Sequence, residues 1–66
     1  MIINILNDSG YSIIINMDNV LHIRPQSQGG YLVSFIDRSE MSLSWKEFDK
    51  LTEAVTVRLN NRSIKE

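Results

Sequence analysis

The chain has no cysteine, one histidine and one proline in 66 residues, and no long apolar run. Without cysteine there is neither a disulfide nor a thiolate, and His22 alone cannot assemble the usual histidine and cysteine ligands of a zinc site. The opening MIINIL follows no basic stretch and is far too short to span a bilayer, so it reads as neither signal peptide nor membrane anchor. A cytoplasmic setting is the expectation. Charge of one sign is also missing: the net charge of −1 gives no broad basic field for phosphate backbones and no acidic surface that imitates them.

Chemistry-bearing patterns are missing too. QSQGG at 26–30 lacks both the GxxxxGK[ST] and the GxGxxG spacing of phosphate loops. The acids Asp8, Asp18, Asp37, Glu40, Glu47, Asp49, Glu53 and Glu66 are spread along the chain with no spacing that converges two carboxylates on a substrate. Serines are plentiful, but nothing signals a base oriented by a third group. We therefore expect no enzyme, no cofactor, no metal and no small-molecule substrate.

What is present is the composition of a folded domain, 42% hydrophobic and 23% charged. A chain this short buries only about 60% of its unfolded surface, so pairing with a copy of itself or with another protein has a raised expectation. IINIL at 2–6 and YSIIIN at 11–16 flank the turn residues NDSG and predict an N-terminal hairpin. A third strand is expected at about 19–24, ended by Pro25, then YLVSFID at 31–37 and MSLS at 41–44. Ser44 followed by Glu47 is a capping box, and Trp45, Phe48, Leu51, Val55 and Leu59 then fall at three- and four-residue intervals. Helix is the reading for about 45–59, with Asn60 and Asn61 as terminators, although AVTVRLN also alternates as a strand would.

The expected fold is therefore α+β, a small antiparallel meander of about five strands with one C-terminal helix packed on one face. Residues 1–60 form a single domain and 61–66 a short polar tail. Trp45 is expected to pack as a core plug. With Ile3, Ile5, Tyr11, Ile13, Ile15, Leu21, Ile23, Val33, Phe35, Met41 and Leu43 turned toward the helix, the opposite face holds Ile2, Leu6, Ile14, Val20, Leu32 and Ile36. One helix cannot cover both faces. The second face is thus the candidate protein interface.

The stretch INMDNVLHIRP, a loop, and YLVSFIDRSEMSLSWKEFDKL resembles the short FlbD-type flagellar proteins over about residues 11–55. Arg38 and Ser39 stand where that family's turn has glycine. The resemblance implies a small bacterial cytoplasmic accessory protein and names no active residue. The same rhythm is similar to the front half of LytTR domains, whose later basic signature has no counterpart in 56–66; CsrA-type RNA binders share the element order without their arginine-bearing signature here.

Functionally, the expectation is a non-enzymatic protein-interaction module, regulatory or inhibitory, of the kind phages and other mobile elements encode, working as a homodimer or on a protein partner. The alternative is a small nucleic-acid-binding regulator using Arg24, Arg38, Arg58 and Arg62, joined by Lys65, with Tyr11 or Tyr31 stacking on a base.

Overall fold

The structure, a computed structural model, describes residues 1–64, with side chains through residue 60. Strands β1 (Ile2–Leu6), β2 (Ser12–Asn16), β3 (Val20–Pro25), β4 (Tyr31–Phe35) and β5 (Glu40–Leu43) precede one helix, α1 (Trp45–Ile64). All strand pairings are antiparallel and the helix packs mainly along β1, so the chain is an α+β fold. The meander is divided in two: β1 and β2 form a ribbon of their own, and β3, β4 and β5 form a separate sheet. A short 3-10 turn at Met17–Asn19 separates them, begun by Asn16, whose side-chain oxygen accepts from the Asp18 amide at 3.1 Å.

The first hairpin closes as its turn residues predict. Gly10 N–H donates to the Asn7 carbonyl at 3.0 Å with Gly10 at φ +88°, while the Asn7 side chain accepts from the amides of Ser9 and Tyr11. Only a residue without Cβ takes that φ at no steric cost. Gly30 is more constrained still, since at φ +79° an added Cβ would be driven into the Leu43 carbonyl oxygen.

Pro25 pairs with Tyr31 and belongs to the strand it was expected to end. The adjoining bond from Gln26 N–H to the Gly30 carbonyl, with the alternation of antiparallel ladders, puts Pro25 at a position whose N–H would face away from β4. Its missing donor costs that ladder nothing. Two residues upstream of Ile23 the register slips: Val20 pairs with Phe35 and His22 with Ser34, leaving Leu21 as an extra, bulged residue. The slip reverses the face on which side chains fall. Val20, expected on the outer face, packs against the core with Ile23, whereas Leu21, expected inside, is 64% exposed.

Ile3 and Ile5 of β1, Ile15 of β2, Val33 of β4, Leu43 of β5 and Leu51 of α1 are the buried core, so both sheets and the helix close on one centre. The helix starts as the capping box requires. Ser44 Oγ accepts from the Glu47 amide at 3.1 Å and Glu47 Oε1 accepts from the Ser44 amide at 2.8 Å. Its other oxygen, Oε2, accepts from the Asp8 amide at 2.9 Å, tying the hairpin turn to the helix start. The strand-like segment after it is helical, with the hydroxyls of Thr52 and Thr56 bonded to carbonyls four residues back.

Two expectations about this helix are corrected. It runs through Asn60 and Asn61 to Ile64, since no glycine or proline stops it, so 61–64 are helical backbone and only 65–66 lie outside the described residues. Trp45 is 61% exposed and plugs nothing. At about 100° per residue, Trp45 lies roughly 120° around the helix from buried Leu51. Phe48 takes the packing role instead, its ring stacked on Tyr31 with centroids 3.9 Å apart.

Replacing Glu47 by alanine removes a cap and leaves two amides without their acceptor. We expect Glu47→Ala to lose about 2 kcal/mol, roughly 10 °C in melting temperature, measured by thermal and urea unfolding followed by circular dichroism. A loss below about 0.5 kcal/mol would show that the tie to Asp8 holds nothing together.

Candidate interaction surfaces

The expected second face is not one surface. Ile2, Leu6 and Ile14 lie on the outer face of the β1–β2 ribbon, 57%, 53% and 66% exposed. Leu32 belongs to the other sheet, where its cross-strand neighbours are Arg24 and Ser42, and it is only half-buried. Ile36 lies past the end of β4 in the β4–β5 turn and is exposed, its amide donating to the Asn19 carbonyl at 2.8 Å. With Val20 turned inward, the structure brings together Ile2, Leu6 and Ile14 and separates the rest.

The ribbon explains why. Asn7 bonds Tyr11 and Met17 bonds Met1 across the same register, so the intervening odd-numbered pairs, Ile3–Ile15 and Ile5–Ile13, are the hydrogen-bonded ones and point to the core. The outer face then reads Ile2 beside Asn16, Asn4 beside Ile14 and Leu6 beside Ser12. Among the described residues no charged side chain stands on it.

The same alternation directs the N–H and C=O groups of Ile2, Asn4 and Leu6 to the edge of β1 away from β2, where no strand among the described residues pairs. The helix lies along that edge in the opposite direction. Lys50 Nζ donates to the Leu6 carbonyl at 3.1 Å and an Arg58 guanidinium N–H to the Ile2 carbonyl at 3.2 Å. Between the two cations runs a groove of about 580 Å³, floored by residues 3–6 of β1 and walled by Glu53, Ala54 and Val57 of α1. Sequence reasoning missed it, because the positions that build it are 44 and 56 residues apart in the chain.

The arginines expected to contact phosphates are dispersed. Arg24 sits on the outer face of β3 with its guanidinium 3.9 Å from Glu40 Oε2, both exposed, a separation worth little in water. Arg38 is in the β4–β5 turn, Arg58 reaches β1, and the Arg62 side chain and Lys65 lie outside the described residues. Tyr31 is engaged by Phe48, and Tyr11 is exposed beside the first turn. His22 is exposed on the same outer face as Ser34. Among the described residues no three histidine or acidic side chains gather as they would around a metal ion, and no helix is long and apolar enough to cross a membrane.

In the β4–β5 turn Arg38 N–H donates to the Phe35 carbonyl at 3.0 Å and Phe35 N–H to the Ser39 carbonyl at 2.9 Å, with Arg38 at φ +75°. This is the geometry of the first turn with arginine where that turn has glycine. Asp37 stabilises it from the side: its carboxyl is held below the usual carboxylate range by the Ser39 hydroxyl first and by the Ser39 amide second.

Fold and surfaces together define a small α+β domain with an uncharged apolar ribbon face and an open strand edge. No protein-family model matches the chain, and no curated protein or solved structure matches it either.

Two measurements check the β4–β5 turn. Arg38→Gly removes the Cβ strain of the left-handed conformation at some cost in chain entropy, and we expect a net gain of roughly 0.5 kcal/mol in urea unfolding; a loss would mean that the arginine side chain holds the turn. Because the folded-state pKa of Asp37 is depressed, its contribution to stability is complete above the ordinary carboxylate range and disappears as pH falls through the depressed value. An NMR titration should place Asp37 below that range, and Ser39→Ala, which removes the hydroxyl but keeps the amide donor, should raise it part of the way back.

Proposed function

We propose that this chain is a non-enzymatic protein-interaction module that self-associates through the outer face of the β1–β2 ribbon. The observation that supports this reading is the outer face itself: Ile2, Leu6 and Ile14 exposed among Asn4, Ser12 and Asn16, with no charge to oppose a second copy. Two such faces related by a two-fold axis meet apolar against apolar and neutral polar against neutral polar. Burying these three side chains on each of two copies, six in all and each already a third to a half covered, is worth about 5–10 kcal/mol gross, comparable with the cost of association, so the dimer is weak and depends on concentration. A regulatory or inhibitory accessory role in the cytoplasm, in keeping with the FlbD-type resemblance, suits such a module. The nucleic-acid reading has less support, because Arg24, Arg38 and Arg58 stand on three separate elements.

Light scattering coupled to size-exclusion chromatography should show a mass that rises with loading concentration. Ile14→Asp should hold it at the monomer value, whereas Leu32→Asp, on the other sheet, should leave the rise intact. A wild-type mass fixed at the monomer over the whole range would overturn the proposal. So would a gel shift on mixed DNA and RNA that fades steeply with salt and is lost in Arg24→Ala or Arg38→Ala, which would establish the alternative.

A further inference from the structure

The two sheets have four edge strands, and three of those edges are guarded. On β1 the cations of α1 hold the Leu6 and Ile2 carbonyls. On β3 the bulge at Leu21 interrupts the ladder, and Pro25 lacks the N–H that would face outward. β5 has only four residues and carries Glu40 at a position whose backbone faces away from β4. These are the devices that keep edge strands from joining other chains. Among the described residues β2 has none of them. From this contrast we propose that two copies of the chain join β2 to β2, antiparallel about Ile14. The proposal rests on the self-association reading and adds a second, edge-to-edge contact to it.

The backbone sets the register. Ile3–Ile15 and Ile5–Ile13 are the hydrogen-bonded pairs within the ribbon, so Ser12, Ile14 and Asn16 direct their N–H and C=O groups away from β1. Ser12 and Ile14 bond no other element through those groups among the described residues. About a two-fold axis at Ile14, the two Ile14 residues exchange both N–H···O bonds, and Ser12 comes opposite Asn16 of the second copy on either side. No other two-fold register pairs all three outward positions.

The side chains agree with that register. On the outer face Ile14 meets Ile14 and Ser12 meets Asn16, apolar against apolar and neutral against neutral. Asp18, the charged residue nearest to β2 in the chain, falls opposite Gly10 of the second copy and is already paired with the Met1 ammonium at 3.0 Å. Tyr11, 73% exposed in a single copy, falls opposite Met17 of the second, a ring against a thioether. A foreign strand could gain the same backbone bonds, but a second copy supplies these side-chain matches by symmetry. The product is one four-stranded sheet, β1-β2-β2-β1, whose outer face holds Ile2, Leu6 and Ile14 twice over and so offers a broader surface to the face contact.

Amide hydrogen exchange read by 15N spectra of the full chain tests the edge contact. The Ile14 N–H faces solvent in a single copy, so its exchange should slow as loading rises, about tenfold where about 90% of the chain is paired. Ser12→Pro removes an outward donor and no bond of the ribbon. It should keep the slow Ile15 amide and lose the concentration-dependent slowing at Ile14. The double variant Ile2→Asp, Leu6→Asp charges the outer face on β1 and spares β2. Light scattering should show it still reaching the dimer mass, with Ile14 slowed and Asn4, on the β1 edge, unchanged.

An Ile14 amide that exchanges at one rate while the wild-type mass rises would overturn edge pairing and leave the face reading standing. A wild-type mass fixed at the monomer would overturn both. Slowing that survives Ser12→Pro, or a folded Ile2→Asp, Leu6→Asp chain that stays monomeric, would also overturn edge pairing. So would a different protein that copurifies with the wild-type chain and is released by Ser12→Pro, which would give the edge to a foreign strand.

Discussion

One buried carboxylate holds the two ends of this fold together. Glu47 accepts from the amide of Ser44 through one oxygen and from the amide of Asp8 through the other, and its own amide is held by Ser44 Oγ. It is buried and its bonds are partly buried, so leaving these groups unmet would carry part of the penalty of a desolvated polar atom. Because Glu47 must face the first hairpin, the rotation of the helix about its axis is set. Leu51, Ala54 and Val55 then meet the core, Lys50 and Arg58 come to the edge of β1, and Trp45 is carried round to solvent.

That rotation also produces the surfaces. The helix buries Leu51, Ala54 and Val55 against the core and also reaches the edge of β1, its cations satisfying two carbonyls and its smaller side chains leaving the groove between them. A two-stranded ribbon is marginal by itself, and these contacts from α1 are what supports it. The price in sequence is modest: two long basic residues eight apart and small or short residues between.

Much of the fold was legible from local signals. NDSG carries the turn chemistry that Asn7 and Gly10 perform, Ser44 and Glu47 have the spacing of a cap, and the odd-numbered isoleucines of β1 and β2 are inward as their alternation implies. The candidate site was legible only in part. Ile2, Leu6 and Ile14 follow from that same alternation and are exposed on one face. Val20 does not, because the bulge at Leu21 shifts the period by one, and no single residue type announces a bulge. Trp45 fails for a related reason: it continues a helical spacing that is real, but a spacing does not say which line of side chains the rest of the molecule will cover.

Local sequence thus determined the elements and their ends near glycines and caps, since steric freedom and short-range hydrogen bonds act over a few residues. Only the tertiary structure decided that the five strands divide between two sheets, that the helix turns Glu47 toward Asp8, and that Lys50 and Arg58 flank an open edge. Those outcomes depend on groups 39 to 56 residues apart competing for the same amides and carbonyls, and distance along the chain carries no record of which of them meet.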